Sequence, residues 1–441
     1  MTNKQMFSLR QLTVFWIPLA LMWLIMGIEQ PAMSAVVTRL PRPEEGLAGF
    51  EVAFSIATLI HGPIVQMLSA GTAVVRGRRS YGELRRLLQK LVGSLTLVHG
   101  ALALPPVFRF ITENILHIPS TLTPVAQTVF LILIPLTALV GFRRFYQGAL
   151  IQAGQTRVVS LTMVVRLGVT LAVLAVGLAL PSIAPQWAQP GYVVAATAFV
   201  AGLLAGFLAA RTMFVRRLLP ALPETDEEEW SQRRLWKFYV PLALTSLIVM
   251  IARPLTAFAI ARSDSPIASL AAWPLVQNYL FIFGAIGLSF QEVVIARFNS
   301  KKPDQNRSIW ILGGLIAGVL LLVYLGVWLS GLADIWFGVV MAAPPALLPL
   351  LRVAIVVIIP VPVFALVQAT LNGILVSRRT TVFITVATVA NVLVQLAIAF
   401  SLPPLTALVG TVVAGCMMLG ANISQTAVLT YGALANRPRL E

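Results

Sequence analysis

Three arginines stand inside long apolar runs of this chain: Arg166, Arg253 and Arg352. A charge at membrane depth costs about 2.5 kcal/mol or more unless it is paired or faces water, so such residues mark candidate binding sites. The guanidinium is a planar fork that donates two parallel hydrogen bonds, a geometry suited to carboxylates and phosphates. Three of them along one path would draw in an anion; each could instead form a structural ion pair or reach for the interface. Glu29 is the acid set most clearly within an apolar run, while Glu51 and Glu292 lie nearer the ends of theirs. A buried carboxyl can carry a proton, so Glu29 is a candidate for H+ coupling, with a fixed pairing to Arg253 as the competing role. Gln30, His61, Gln277, Asn278 and Asn391 are uncharged polar residues in the same runs and candidate lining groups. For His61, plain packing competes with that role.

Other chemistry is poorly provided for. Cys416 is the only cysteine, which rules out disulfides within the chain. His61, His99 and His117 lack the spacing of a zinc site. No nucleophile, metal or paired-carboxylate constellation is present, and no G-x-x-x-x-G-K-[ST] loop that would cradle nucleotide phosphates. No catalytic site, metal or cofactor is therefore expected. Energy for any transport must come from a gradient, of H+ or Na+, or from the substrate.

The elements that must position these residues follow from composition. Of 441 residues, 58% are hydrophobic and 11% charged, against about 25% charged in soluble domains. With a mean hydropathy of +0.88, the chain reads as a polytopic membrane protein. The net charge of +16 does not indicate nucleic acid, because the basic residues punctuate apolar runs at intervals and form no single patch. Twelve runs reach the roughly 20 residues a spanning helix needs: 11–37, 49–75, 87–108, 122–149, 158–180, 191–214, 236–261, 267–296, 308–331, 344–376, 381–402 and 404–432. The eighth and tenth are long enough to tilt or bend, and Pro403-Pro404 is read as a tight loop. The first is read as a retained helix, since it ends in Glu29-Gln30-Pro31 with no small-residue cleavage site.

Alternate loops hold most of the basic residues, including Arg76 to Lys90, Arg143, Arg144, Arg157, Arg211 to Lys237 and Arg297 to Arg307. The opposite loops hold only Arg39, Arg42, Arg109 and Arg262. The positive-inside rule then puts both termini in the cytoplasm.

The two halves resemble each other. Phe15-Trp16-Ile17-Pro18-Leu19-Ala20-Leu21 matches Phe238-Tyr239-Val240-Pro241-Leu242-Ala243-Leu244, and Gln30-Pro31 matches Arg253-Pro254, all at an offset of 223. Gln147-Gly148-Ala149-Leu150-Ile151 matches Asn372-Gly373-Ile374-Leu375-Val376 at an offset of 225. Both halves start on the same side, so the repeat is parallel. This implies six-helix bundles over 1–216 and 236–441, joined by a linker over 217–235 that carries Glu224 and Asp226 to Glu229. Parallel repeats are a transporter architecture with a site between the halves. Pro31 and Pro254 each remove a backbone donor and should kink their helices at equivalent points, as hinge candidates.

The Gln-Gly-x-Leu ending of the fourth run and the twelve-helix duplication resemble the MATE fold of the multidrug/oligosaccharidyl-lipid/polysaccharide exporter superfamily. More narrowly, Gly27-Ile28-Glu29-Gln30, Ala252-Arg253-Pro254-Leu255, Leu351-Arg352 and Pro360-Val361-Pro362 resemble the progressive ankylosis family. The C-terminal end departs from that family in having no long acidic tail. The resemblance implies an all-α, MATE-like fold of 12 transmembrane helices and export of small multivalent anions such as citrate, nucleotides or pyrophosphate. Arg253 and Arg352 fall on its motifs, whereas Arg166 rests on its own chemistry. Arginine exceeds lysine 27 to 5, which points to a GC-rich bacterial genome, so the family's animal physiology is not carried over. The expectation is a monomeric secondary transporter in the cell membrane, working by alternating access on a small anion. A lipid-linked oligosaccharide flippase and a cation-coupled multidrug exporter are the rivals. The flippase would need a lateral opening to lipid, and the drug exporter an acidic cavity.

Overall fold

The computed structural model of the chain describes residues 8–153, 155–224, 229–298, 306–378, 380 and 382–435. Asp226, Glu227 and Glu228 of the linker lie outside the described residues, as does the side chain of Glu292.

The chain is all-α. Its helices are α1 (Leu9–Met26), α2 (Glu29–Arg39), α3 (Pro43–His61), α4 (Met67–Val74), α5 (Arg78–Leu102), α6 (Pro105–Arg109), α7 (Thr123–Ile132), α8 (Leu136–Gln152), α9 (Thr156–Ile183) and α10 (Gly191–Met213). There follow α11 (Gln232–Met250), α12 (Ala252–Ala261), α13 (Pro266–Arg297), α14 (Arg307–Leu329), α15 (Leu332–Ile335), α16 (Leu348–Val357), α17 (Val361–Ser377), α18 (Val382–Leu405) and α19 (Gly410–Ala435). Among the described residues, nine helices are long and apolar enough to cross a membrane, and eleven if two bent pairs each count as one span. The bent pairs are Arg78–Leu102 with Pro105–Ile115, at 79°, and Pro345–Val357 with Val361–Val376, at 43°. The remaining run expected from the sequence, 11–37, is α1 and α2. The protein is thus a multipass membrane protein.

The expected kinks are short interruptions, and across the second one Gln232–Ala261 still runs as a single span. α1 stops at Met26 and α2 begins at Glu29; α11 stops at Met250 and α12 begins at Ala252. Pro31 has no N–H for the Gly27 carbonyl and Pro254 none for Met250, so the helix loses a rung at the same place in both halves. Pro241 does not interrupt α11, and Pro274 leaves α13 continuous over 32 residues. Pro403 and Pro404 were expected in a loop but lie inside α18, and the turn falls after Leu405. They are the third- and second-last residues of α18, so each removes one hydrogen bond of its last turn.

The repeat extends to features the sequence comparison does not show. All four positive-φ non-glycine residues among the described ones pair across the halves: Arg42 (φ 55°) with Ser265 (φ 51°), and His117 (φ 55°) with Ala342 (φ 47°). Those pairs sit at the same two offsets, 223 and 225. Arg42 and Ser265 each precede the proline that opens α3 and α13. Left-handed backbone costs about 1–2 kcal/mol at a residue with a Cβ. Its recurrence means that the architecture imposes both bends. Segments wound as π-helix also recur, at Phe110–Ile115 and Trp336–Val340.

The glycines of the 147–151 and 372–376 motifs explain why those motifs are shared. A Cβ on Gly148 would lie 2.9 Å from the Thr72 nitrogen and 3.0 Å from the Gly71 Cα, both on α4. A Cβ on Gly373 would lie 2.7 Å from Val294 Cβ, on α13. Both glycines let the fourth or tenth span lie directly against the second or eighth.

By packing, the chain divides into two compact units. Residues 36–258 form one, in which α3 packs on α7, α4 on α8, and α10 on α8 and α9, with α11 against a 3-10 turn at Gly62–Gln66. Its core includes Phe108, Phe130, Phe145, Phe214 and Ile64, all fully buried. The other unit contains 1–35 and 259–441, with α13 packed on α1 and α17 and α18 on α19. Trp273, Phe290, Tyr324 and Phe337 are fully buried there. The boundaries fall within α2 and α12, not at the 217–235 linker. Thus α1 packs with the second half's helices and α11 with the first half's.

Candidate functional site

In the unit of residues 36–258, α3 presents Glu51, Phe54 and His61 at helical spacing. Arg253, in the first turn of α12 just past the break, reaches this row. Its Nη2 lies 3.5 Å from Glu51 Oε2, and its guanidinium sits 4.9 Å over the Phe54 ring. The two side chains are 29% and 6% exposed, so Glu51 is sealed in and Arg253 keeps one side open. Phe54 stacks on Phe50 at 5.6 Å and meets Phe199 edge-on at 5.4 Å. Arg166 lies 5.5 Å over Phe199, on the far side of that aromatic pair. Desolvated cation–π contacts of this kind hold a guanidinium by about 2 kcal/mol without neutralising it. Arg253 and Arg166 are thus brought into one aromatic-linked cluster. His61 is tied locally, through Nδ1, to the Ala57 carbonyl at 3.0 Å.

Two arginines that the sequence reading did not count among the site candidates belong to the same unit. Arg143 and Arg144 were expected in a cytoplasmic loop; they lie inside α8, within the span Ser120–Gln152. Arg143 is 5% exposed and donates from Nη1 to Gln147 Oε1 at 3.3 Å and Met163 Sδ at 3.3 Å. Arg144 Nη1 donates to the Val65 carbonyl at 3.1 Å, and Tyr239 Oη to the Pro63 carbonyl at 2.6 Å. Both acceptors lie in the 3-10 turn between α3 and α4, where the helix ladder is interrupted. Glu51 was likewise set near a span end, yet it is deep in α3 and is the one buried carboxylate among the described residues of this unit. Hydropathy windows could not find these residues, because a charge inside a span and one at its end give similar averages.

The other candidates lie in the second unit. Asn278 is buried and donates from Nδ2 to Ser34 Oγ at 2.8 Å, joining α13 to α2. Asn391 donates to Gln425 Oε1 at 2.8 Å and accepts from Gln395 Nε2 at 2.7 Å, which joins α18 to α19. Arg352 has its fork filled: Nε and Nη2 donate to the two oxygens of Asp334 at 2.8 and 3.0 Å. Its side chain is 60% exposed. Glu29, Gln30 and Gln277 are half-buried. Among the described residues, no three of His, Cys, Asp or Glu come together as metal ligands.

With this geometry in place, comparison with known proteins bears on the fold. A model of the MatE family matches residues 18–176. No curated protein matches the chain. A multidrug resistance MATE family transporter of the MOP superfamily, in its inward-facing conformation, superposes with a TM-score of 0.69 at 15% identity, over 95% of this chain and 97% of that one. The lipid II flippase MurJ, inward closed, gives 0.66 at 12% identity, over 96% and 88%. A MOP superfamily transporter from Pyrococcus furiosus, whose reversed pocket polarity is described as suggesting a different function, gives 0.56 at 15% identity, over 100% and 98%. At such identities the shared property is the fold, which is that of the MATE transporters.

Proposed function

We propose that the chain is a secondary active transporter that exports small multivalent anions, such as polycarboxylates, nucleotides or pyrophosphate, by alternating access. The observation that carries this reading is Arg253: half-open, stacked on Phe54, and set one residue beyond the break in a spanning helix. In the spans of its unit four arginines, Arg143, Arg144, Arg166 and Arg253, are buried or half-buried, and Glu51 is the one buried carboxylate among the described residues. An interior with that excess of positive charge attracts anions and repels cations. The Pyrococcus transporter lends support, since a reversed pocket polarity occurs within the same fold.

In this reading Arg253 and Arg352 are anion-binding residues, Arg166 draws the anion in, and Glu29 carries the coupling proton. Arg352 joins only when Asp334 releases its fork. Pro31 and Pro254 act as the hinges, and Gln30, His61, Gln277, Asn278 and Asn391 as lining groups. The termini are cytoplasmic and the protein works as a monomer. The likeness to MurJ favours a second reading, flipping of a lipid-linked oligosaccharide, in which the arginines hold the lipid's pyrophosphate.

The test is uptake of labelled citrate, ATP and pyrophosphate into proteoliposomes, wild type against Arg253→Ala, with and without a pH gradient. Transport that falls at least about 100-fold in the variant supports the anion reading, as expected for losing a charge-assisted bidentate contact. Absence of transport for all three anions from sealed, oriented protein overturns it in favour of the flippase.

A further inference from the structure

The fourth and tenth spans share an interruption of their own, at Pro135 and Pro360. Its backbone hydrogen bonds match pair by pair at an offset of 225. Leu133 N donates to the Val129 carbonyl and Ile358 N to that of Ala354; Ile134 N turns to Leu131 and Ile359 N to Val356. Leu136 N and Val361 N reach back to Leu133 and Ile358. Each proline lacks the donor in between. One carbonyl is thereby left off the helix ladder in each half, that of Phe130 in the first and that of Ile355 in the second. A buried carbonyl needs a donor. Each receives one from the preceding span at the same offset: His99 Nε2 donates to Phe130 at 3.0 Å and Tyr324 Oη to Ile355 at 3.1 Å. All four residues are fully buried. Histidine and tyrosine have little in common but a donor, so the repeat preserves the bond and not the residue type.

Only in the second half does the latched turn also carry an ion pair. Ile355 lies in α16, ten residues long, and Arg352 stands three residues before it in the same turn. Tyr324 on α14 and Asp334 on α15 therefore grip one turn of α16, by its carbonyl and by its guanidinium. In the first half the positions equivalent to Asp334 and Arg352 hold Arg109 and Gln127, and Gln127 Nε2 donates to the Ala103 carbonyl at 3.0 Å. Tyr324 is itself held by rings, Phe283 at 5.0 Å and Tyr279 at 5.5 Å, both edge-on. Beyond the interruption the span bends by 43°. α16 packs on α13 and α19, but no continuous ladder to α17 fixes its direction, so the polar bonds to it help to do so. We propose that Tyr324 is a positioning residue for Arg352, its hydroxyl latching α16 through the Ile355 carbonyl and so setting where the Arg352 fork is presented. The part played by substrate rests on the anion-export reading; the latch does not.

The test compares wild type with Tyr324→Phe, which deletes one hydroxyl and keeps the ring, in the full chain. Hydrogen exchange in detergent should quicken about tenfold at the amides of Ile358, Ile359 and Val361, as for losing one buried hydrogen bond, and stay unchanged at Leu133, Ile134 and Leu136. His99→Leu should give the reverse pattern, and His99→Gln, which keeps a donor, neither. A thermal double-mutant cycle of Tyr324→Phe with Asp334→Asn should be non-additive, because both bonds hold one turn of α16. In pyrophosphate uptake Tyr324→Phe should raise KM several-fold at an unchanged kcat, and should add nothing to Arg352→Gln. Unchanged exchange at 358–361 or an additive cycle overturns the proposal, and so does a KM effect that persists in Arg352→Gln. If wild type carries no anion, the export reading fails, while exchange and the cycle still decide whether Tyr324 positions Arg352.

Discussion

At the residue scale, Glu51 and Arg253 are the pair on which most depends. Removing one partner of a sealed ion pair leaves an uncompensated charge and costs about 3–5 kcal/mol, whereas removing both together costs much less. The pair is 6% and 29% exposed, so screening through the open side of Arg253 puts the cost at the lower end. Glu51→Gln should therefore lower the thermal midpoint clearly, and Glu51→Gln with Arg253→Gln should recover most of the loss. A double-mutant cycle in thermal or chemical unfolding measures the coupling, and additive losses would show that the pair is not energetically real. On the anion-export reading Glu51 also competes with substrate for the fork, so Glu51→Gln should tighten anion binding several-fold. Much of this was hidden in the sequence. Arg253 stood out because a proline and a repeat partner marked its position, but Glu51 falls just inside the start of the expected span 49–75 and looked peripheral.

At the scale of elements, the breaks and the shared glycines lend themselves to test. Replacing Pro31 or Pro254 by alanine restores an N–H to the Gly27 or Met250 carbonyl and removes the clash that opens the helix. Each variant should be at least as stable as wild type, because a proline in a helix interior costs about 3 kcal/mol. If the breaks serve as hinges, each should also transport several-fold more slowly, and an unchanged rate would leave them as tolerated bends. Gly148→Val puts a branched side chain where the backbones of α8 and α4 nearly touch. A loss of about 3 kcal/mol or more, seen as reduced folded yield in detergent, is expected, since neither backbone can yield as a flexible side chain does. Gly373→Val, opposite Val294 on α13, should behave alike. These glycines were legible as parts of a repeated motif, but their purpose became clear only when the facing helix was known. Pro403-Pro404 misled for the opposite reason: proline signals a break by local chemistry, and a helix end tolerates it.

At the scale of the molecule, the sequence determined a great deal without help. A bilayer accepts only long apolar helices, so hydropathy located the spans, and a duplication at offsets of 223 and 225 revealed the parallel repeat. Fold class therefore followed from composition and periodicity, which are properties of single segments. Tertiary structure decided how those segments combine. It joined α1 to the helices of the second half and α11 to those of the first. It also chose the partners of the arginines: Glu51 and Phe54 for Arg253, Phe199 for Arg166, Asp334 for Arg352, and Gln147 for Arg143. Those choices depend on distances of a few ångströms between helices far apart in the chain. Hydropathy averages over such distances, and the energy of a buried charge is set by them.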